Sequence, residues 1–411
     1  MKKLLSLIFI TTLFFTGFAQ VKTDAQIADP KNNKVKPGAV KPGFGSFKQA
    51  GAKGSGNTDT VFTIIKSIPA TPVKDQAMTG TCWCFATTSF IESQCLKDNL
   101  GDFDLSEMFS VRNIYLEKAK QYVLRQGHTQ FGEGGLGHDL INAIAKYGAV
   151  PETVYSGLID STLQHNHIKL EKELKEYLDS VIKKTPVAEN WVDKYEKILD
   201  EELGDAPESF KYKGKEYTPI TFANDVLKFN PNDYVYITSF THHPYYEPFI
   251  LEVPDNFSNG MYYNVPLEEM LQLTKEAINA GYSVVWDADV SNDGFQQRFG
   301  SAVNFNNLPA GLKQKGDLMA GVAKEGKVDA KERQRLFENL TTQDDHLMHI
   351  TGLTKSKTGN NFFLVKNSWG NVGPSSGYIN VSESYFQLNT ISLVIPKAAI
   401  NRKLLDKLHI K

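Results

Sequence analysis

The chain has 411 residues, 41% of them hydrophobic, with 45 Lys plus Arg against 47 Asp plus Glu. That length and apolar content suit one large domain or two lobes around a sizeable core. The charges nearly cancel and no long block of one sign occurs, so there is no electrostatic case for nucleic acid or an anionic membrane surface as partner.

Residues 1–19 pair Lys2 and Lys3 with a mostly apolar run from Leu4 to Phe18 and small residues at Gly17 and Ala19. This reads as a secretory signal peptide cut after Ala19, since the run is shorter than the roughly 20 apolar residues of a membrane span. The expectation is a secreted or periplasmic protein with no span once the signal is removed. No cysteine sits at the cleavage point, which argues against a lipid anchor. Residues 20–60 are rich in Lys, Gly, Ala and Asn, with Pro30, Pro37 and Pro42, and read as a flexible leader or linker. The folded domain is expected over 61–411.

Thr71 to Thr88 carries Gln76, Gly80, Cys82, Trp83, Phe85 and Ala86. Apolar residues at Phe85, Ala86, Phe90, Ile91, Cys95 and Leu96 follow a helical period with no Pro or Gly, so Cys82 should head a helix running to about Leu96. A helix N-terminus favours negative charge, which predicts a lowered thiol pKa there. Gln76 is placed to offer its amide, beside the Cys82 backbone N–H, to a developing oxyanion. The other cysteines are Cys84 and Cys95, three turns apart on the same helix and about 16 Å along its axis. No disulfide is expected.

A second helix is predicted over roughly Ser106 to Arg125, with Met108, Val111, Tyr115, Ala119 and Tyr122 on one face. Gly134-Gly135 then permits an extended backbone that another chain can approach closely, as a peptide does when it adds as a strand. A phosphate loop is disfavoured because no Gly-Lys-Ser/Thr follows. Leu140 to Tyr147 reads as helix. From His165 to Leu203 the stripes Leu170, Leu174, Leu178, Ile182 and Trp191, Tyr195, Ile198 predict surface or insertion helices. Tyr217 to Tyr236 reads as helix then strand, Pro266 to Ala280 as helix, and Ser283 to Trp286 as strand. Asp287 to Gly294 resembles a calcium loop, but neither register supplies the closing acid, so it reads as a turn. His242-His243 and His165-x-His167 read as surface histidines, and no metal site is expected.

His346 and Asn367 complete the reading. A cysteine nucleophile needs a base, which histidine supplies near neutral pH, and an amide oxygen accepting the ring N–H holds the base in one tautomer. His346 lies six residues before Gly352 on a predicted strand, and His349 points to the opposite face. After a hairpin turn at Lys357 to Asn360 comes Asn361 to Gly370, which contains Asn367-Ser368-Trp369.

On Gln76, Gly80, Cys82-Trp83, Phe85-Ala86, Gly134-Gly135, His346-x5-Gly352 and Asn367-Ser368-Trp369 the chain resembles the papain superfamily of cysteine peptidases. The Tyr217 to Phe222 segment, Val284-Val285-Trp286, Ala330 to Arg333 and Thr79 make it most similar to the bleomycin hydrolase or aminopeptidase C branch, over roughly 61–400. The resemblance implies an α+β, papain-like two-lobed fold. Its helical lobe starts near 61, an insertion spans about 160–265, an antiparallel β-rich lobe about 270–400, and the C-terminal tail is 401–411. It implies Cys82 as nucleophile, His346 as acid/base, Asn367 as its orienter and Gln76 at the oxyanion. Gly134, Gly135 and Trp369 would line the substrate cleft, with the Trp369 indole shielding the His–Asn bond. No cofactor is implied, and the partner would be a peptide or protein substrate. Members of that branch form hexamers, and their tail enters the cleft to meet the substrate's free amine. The tail Asn401 to Lys411 does not match theirs, and they are typically cytosolic. Three readings therefore stand: an aminopeptidase, an endopeptidase with an open cleft, and a silent peptide-binding protein.

Overall fold

The structure is a computed structural model that describes residues 62–305 and 325–411. The signal-peptide and leader readings lie outside the described residues. The apolar runs around Val284, Leu347 and Ile391 form strands buried along nearly their whole length, as expected for strands covered on both faces. They are the centre of an eleven-stranded sheet.

In chain order the strands are β1 (Phe62–Ser67), β2 (Phe210–Tyr212), β3 (Lys215–Tyr217), β4 (Tyr234–Thr238), β5 (Pro248–Ile250), β6 (Met261–Asn264) and β7 (Val284–Ala288). They continue with β8 (Phe295–Gln296), β9 (Ser301–Ala302), β10 (His346–Ser356), β11 (Asn361–Lys366), β12 (Tyr378–Ser382) and β13 (Thr390–Pro396). The order across the sheet is β5-β6-β4-β13-β7-β10-β11-β12-β9-β8, with β1 on the far half of β10. Among the described strands only β4/β6 and β9/β12 pair in parallel. In β10 the register sets His346 opposite Ala288 and Leu347 opposite Asp287.

Helix α1 (Cys82–Lys97) starts at the cysteine, and almost every residue of it is buried. Helix α2 (Glu107–Leu124) is capped by Ser106, whose hydroxyl accepts from the Phe109 N–H at 3.0 Å. Helix α3 (Gly137–Tyr147) follows the glycine segment. Helices α4 (Ile168–Ile182) and α5 (Trp191–Leu203) are not surface additions. Their inner faces bury Leu170, Leu174, Leu178, Tyr195, Leu199 and Leu203 in the same core as α1 and α2. The Tyr195 hydroxyl donates to the Tyr115 carbonyl at 2.9 Å, tying α5 to α2.

The stretch expected as an insertion has two parts. The β2–β3 hairpin and α6 (Pro219–Asp225) stay on the helical side, whereas β4 pairs with β13 and carries β6 beside it into the main sheet. Helix α7 (Leu267–Asn279) backs the opposite side of the sheet. It is followed by α8 (Ala330–Glu338), α9 (Glu383–Asn389) and α10 (Arg402–Lys407). In the C-terminal tail, Leu404 and Leu408 are buried in the core that contains the α7 residues Met270, Leu271 and Ile278. Lys407 pairs with Glu269 at 3.1 Å, and Asn401 donates to Glu276 at 3.1 Å. Among the described residues no helix is long and apolar enough to cross a membrane.

Candidate active site

Cys82 is the first helical residue of α1, so its backbone N–H is one of the donors that the helix leaves unpaired. The three cysteines are free. Cys82 is only 8% exposed, and its surroundings overturn the expectation of a lowered pKa. Burial pushes the thiol up to about 12. The Leu347 backbone N–H pulls the other way, and the carboxylates of Asp344, Asp255 and Asp287 add to the rise. The helix N-terminus does not offset the loss of water. Burial also pushes His346 down to about 4, against the Asn367 hydrogen bond and the Asp345 charge. Each charge is disfavoured when formed alone, whereas a proton passed from thiol to imidazole would leave the pair neutral overall.

The imidazole is held from one side. His346 Nε2 lies 2.7 Å from Asn367 Oδ1. The same oxygen accepts the Ser368 N–H at 2.8 Å, and Asn367 Nδ2 donates to Gln297 Oε1 at 3.0 Å. Gln297 in turn donates through Nε2 to the Val372 and Tyr378 carbonyls, both at 3.4 Å. These donors fix which atom of the Asn367 amide is oxygen, and so require the imidazole to carry its hydrogen on Nε2. The lone pair is left on Nδ1. The Trp369 ring lies over the imidazole, with centroids 4.7 Å apart and planes at 30°. Leu347, the next residue on β10, presents its N–H to the Cys82 sulfur.

Gln76 joins the two halves. Its Nε2 donates to the Thr79 carbonyl at 2.7 Å, which leaves the second amide N–H for a ligand. Its Oε1 accepts the Ser368 hydroxyl at 2.6 Å, and its backbone N–H donates to the Ser368 carbonyl at 2.8 Å. The loop before Cys82 is also tied to the glycine segment, because Gly80 N–H donates to Glu133 at 2.6 Å and Trp83 Nε1 to the Glu133 carbonyl at 3.0 Å. The buried Lys118 ammonium donates to the carbonyls of Gly132 and Gly134. A Cβ on Gly135 would lie 3.1 Å from the Trp83 indole, a tight contact that the glycine avoids.

His349, the competing histidine, is enclosed. Its Nδ1 lies 2.9 Å from Ser89 Oγ beneath α1, and Lys366 donates to the same hydroxyl at 2.7 Å. His242 and His243 converge on Glu252, at 3.2 and 2.7 Å. The Gln334 amide oxygen accepts the Thr241 N–H, so its nitrogen faces His242 Nδ1 at 2.9 Å. The His242 Nε2 therefore carries the hydrogen that goes to Glu252 and has no lone pair for an ion.

Several residues around the site escaped the sequence reading. Gln297 and Lys118 belong to no motif and are placed only by tertiary packing. Asp287 and Asp344 flank the cysteine as a buried carboxyl pair. Burial pushes Asp287 up to about 7, although hydrogen bonds from Asp344 and Ser392 favour its charged form, and burial together with the Asp287 charge raises Asp344 well above the ordinary range. The Asp344-Asp345 doublet ahead of His346, and an acid closing the apolar run Val284-Val285-Trp286, were the available signals.

A model of the Peptidase C1-like family matches residues 20–411. The chain is 24% identical over 425 residues to aminopeptidase G of Lactobacillus delbrueckii subsp. lactis, covering 91% of each chain. It is 24% identical over 392 residues to bleomycin hydrolase of Gallus gallus, covering 82% of this chain and 83% of that one. The crystal structure of pepw from Lactobacillus rhamnosis aligns with a TM-score of 0.65 at 20% identity, covering 84% of each chain. The fold is shared, and it is the α+β, papain-like one that the sequence led us to expect.

Proposed function

The chain belongs to the Peptidase C1-like family, and we propose that it is a cysteine aminopeptidase of the bleomycin hydrolase type working through Cys82, His346 and Asn367. The observation that carries the assignment of roles is the 2.7 Å bond from His346 Nε2 to an Asn367 oxygen whose identity is set by the Ser368 N–H that donates to it and by the Gln297 oxygen that accepts from the amide nitrogen. Nδ1 of His346 takes the thiol proton as Cys82 sulfur bonds to the scissile carbonyl carbon. The carbonyl oxygen becomes an oxyanion, received by the Cys82 N–H and the second Gln76 amide N–H. As the tetrahedral intermediate collapses, the C–N bond breaks and the imidazolium returns its proton to the departing amine. Water, deprotonated by the same nitrogen, then hydrolyses the thioester and restores the thiol. Asn367 keeps the ring in the productive tautomer, and Trp369 covers one face of it. The substrate is a peptide whose backbone lies along Gly134 and Gly135. We also propose that the protein is exported, on the strength of residues 1–19.

The test uses the reduced protein without residues 1–19, with Cys82→Ala as blank. It compares a fluorogenic aminoacyl amide and a short peptide amide, each with a free and with an acetylated N-terminus. Cleavage confined to the free-amine substrates is the expected result. Cleavage of the acetylated peptide would make it an endopeptidase. No turnover above the blank would leave a peptide-binding protein. The N-terminal residue of the exported form checks the export claim, with Gln20 expected.

A further inference from the structure

An aminopeptidase needs a stop that prevents the chain from running past its first residue and an acceptor for the α-ammonium group. The C-terminal tail supplies neither here. Leu405 lines a groove with Cys95 and Asp98, at the end of α1 opposite to Cys82. At 1.5 Å per residue that end lies about 20 Å from the sulfur.

The β5–β6 loop sits where such a device is needed. Asn256 clamps it, donating to the Leu251 carbonyl at 2.8 Å and the Gly260 carbonyl at 3.0 Å while accepting the Gly260 N–H at 2.6 Å. Phe257 is buried in the helical core, and Ser258 donates to Asp139 Oδ1 at 2.8 Å at the start of α3. Between these anchors, Asp255 is pressed onto Gly134. A Cβ on that glycine would stand 1.9 Å from Asp255 Oδ2 and 2.5 Å from Oδ1. Gly135, one residue on, lies on the Trp83 ring beside the nucleophile, and among the described residues nothing hydrogen-bonds its N–H or carbonyl. A strand pairing with Gly135 from the Cys82 side would meet the Asp255 carboxylate as it passed Gly134.

The carboxylate itself is under-used. Its only hydrogen bond among the described residues is a 3.3 Å contact from Gln130 to Oδ1. Oδ2 has none. No ion pair within 4 Å joins it to Lys118, whose ammonium is engaged by the Gly132 and Gly134 carbonyls. Its charge is among those felt at the Cys82 sulfur. The α-nitrogen of a first residue is two bonds from the attacked carbonyl carbon, about 2.5 Å away. Burial raises the Asp255 carboxyl and the Lys118 charge lowers it from beyond ion-pair distance, so an ammonium group seated directly on Oδ2 would make the charge-assisted contact that Lys118 does not.

We propose that the β5–β6 loop closes the amino-terminal end of the substrate cleft and that Asp255 Oδ2 receives the α-ammonium of the peptide's first residue. Asp255 is thus a substrate-binding and specificity residue, and the proposal rests on the aminopeptidase reading above. The test measures kcat and KM of the wild type, Asp255→Asn and Asp255→Ala on a free aminoacyl coumarylamide and on an acetylated dipeptidyl coumarylamide. Removing one charge-assisted contact should lower kcat/KM on the free-amine substrate by about 10- to 100-fold, mainly through KM. Asp255→Ala should also gain cleavage of the acetylated dipeptide, because the stop is gone. The two variants remove the charge with and without the side-chain bulk, and melting temperatures near that of the wild type mark which of them is folded. A folded variant that keeps the wild-type kcat/KM and free-amine preference overturns the role of Asp255 and leaves the aminopeptidase reading intact. If the wild type cleaves the acetylated dipeptide as well as the free substrate, the aminopeptidase reading fails and takes this proposal with it. Should both variants unfold, a free-amine aminoacyl aldehyde must inhibit the wild type at least tenfold more strongly than its acetylated form, and equal inhibition overturns the proposal.

Discussion

Asn367 turns its amide oxygen to His346 because its nitrogen is already engaged by Gln297, 3.0 Å away. Gln297 lies in the short turn after β8 and touches neither the imidazole nor the thiol. It is a positioning residue, since it decides which end of the Asn367 amide faces the ring. Replacing it with Ala leaves only the Ser368 N–H to hold the oxygen in place, and so loosens that amide. In the flipped state an N–H faces Nε2 and the ring hydrogen moves to Nδ1, the atom that must take the thiol proton. We expect Gln297→Ala to lower kcat by about tenfold with KM nearly unchanged, and Gln297→Glu, which keeps the acceptor for Asn367 but turns its second oxygen against the Val372 and Tyr378 carbonyls, to restore only part of it. Steady-state kinetics of the two variants check this, and a fall confined to KM would contradict it.

The pH profile follows from burial of the pair. His346 is pushed down to about 4 because an imidazolium there loses its water. The base is active when neutral, so kcat/KM should be level above pH 5 and fall tenfold per unit below about pH 4. An acid limb at the ordinary histidine value near 6.5 would mean that water reaches the ring. Burial of Cys82, pushed up to about 12, keeps the enzyme side free of an alkaline limb up to that range. The substrate adds its own, because a free α-ammonium deprotonates near pH 8. An aminoacyl amide should therefore lose reactivity above pH 8 as its binding to Asp255 weakens.

What could be read from the chain divides along sequence distance. Cys82 at the head of α1, Gln76 before it, His346 at the start of β10 and Asn367 just past the end of β11 could be placed because each lies in a short motif beside its own periodic element. The burial of α4 and α5 was not. Their stripes at Leu170 and Tyr195 say that each has an apolar face, and only the tertiary structure says that α2 covers it. The thiol pKa failed for a related reason. The helix start at Cys82 is local and visible, whereas the burial that outweighs it is a tertiary effect, and the charges that add to it come from acids distant in sequence. Asp255 faces Gly134 across a long stretch of chain, and nothing in Val-Pro-Asp-Asn-Phe marks it as a cleft residue.

Glu133 gives a stability test with a defined sign. Burial pushes its carboxyl up from 4.5 to about 7, against the Gly80 N–H that favours the charged form. The folded value is above the unfolded one, so the contribution is fully present below about pH 4.5 and is lost as pH rises through 7. Glu133→Gln keeps the shape and removes the titration. The wild type should lose roughly 1–3 kcal/mol more than the variant between pH 5 and pH 8.5. Denaturant unfolding at the two pH values measures the difference, and parallel losses would show that the carboxyl is not buried as described.

The tail offers a separation between stability and specificity. Leu404 and Leu408 are 2% and 1% exposed in the core that includes the α7 residues Met270 and Leu271. Leu404→Ala removes a buried side chain and should cost about 2–4 kcal/mol, with a clear fall in melting temperature. The tail lies at the end of α1 remote from Cys82, so neither this substitution nor a chain ending at Ile400 should change the ratio of free-amine to acetylated-substrate turnover, provided it is measured below the lowered melting point. Asp255→Asn should do the reverse, reducing that ratio with the fold intact. If the chain ending at Ile400 began to cleave acetylated peptides while still folded, the tail would be the stop, and the β5–β6 loop would be reduced to a support for Gly134.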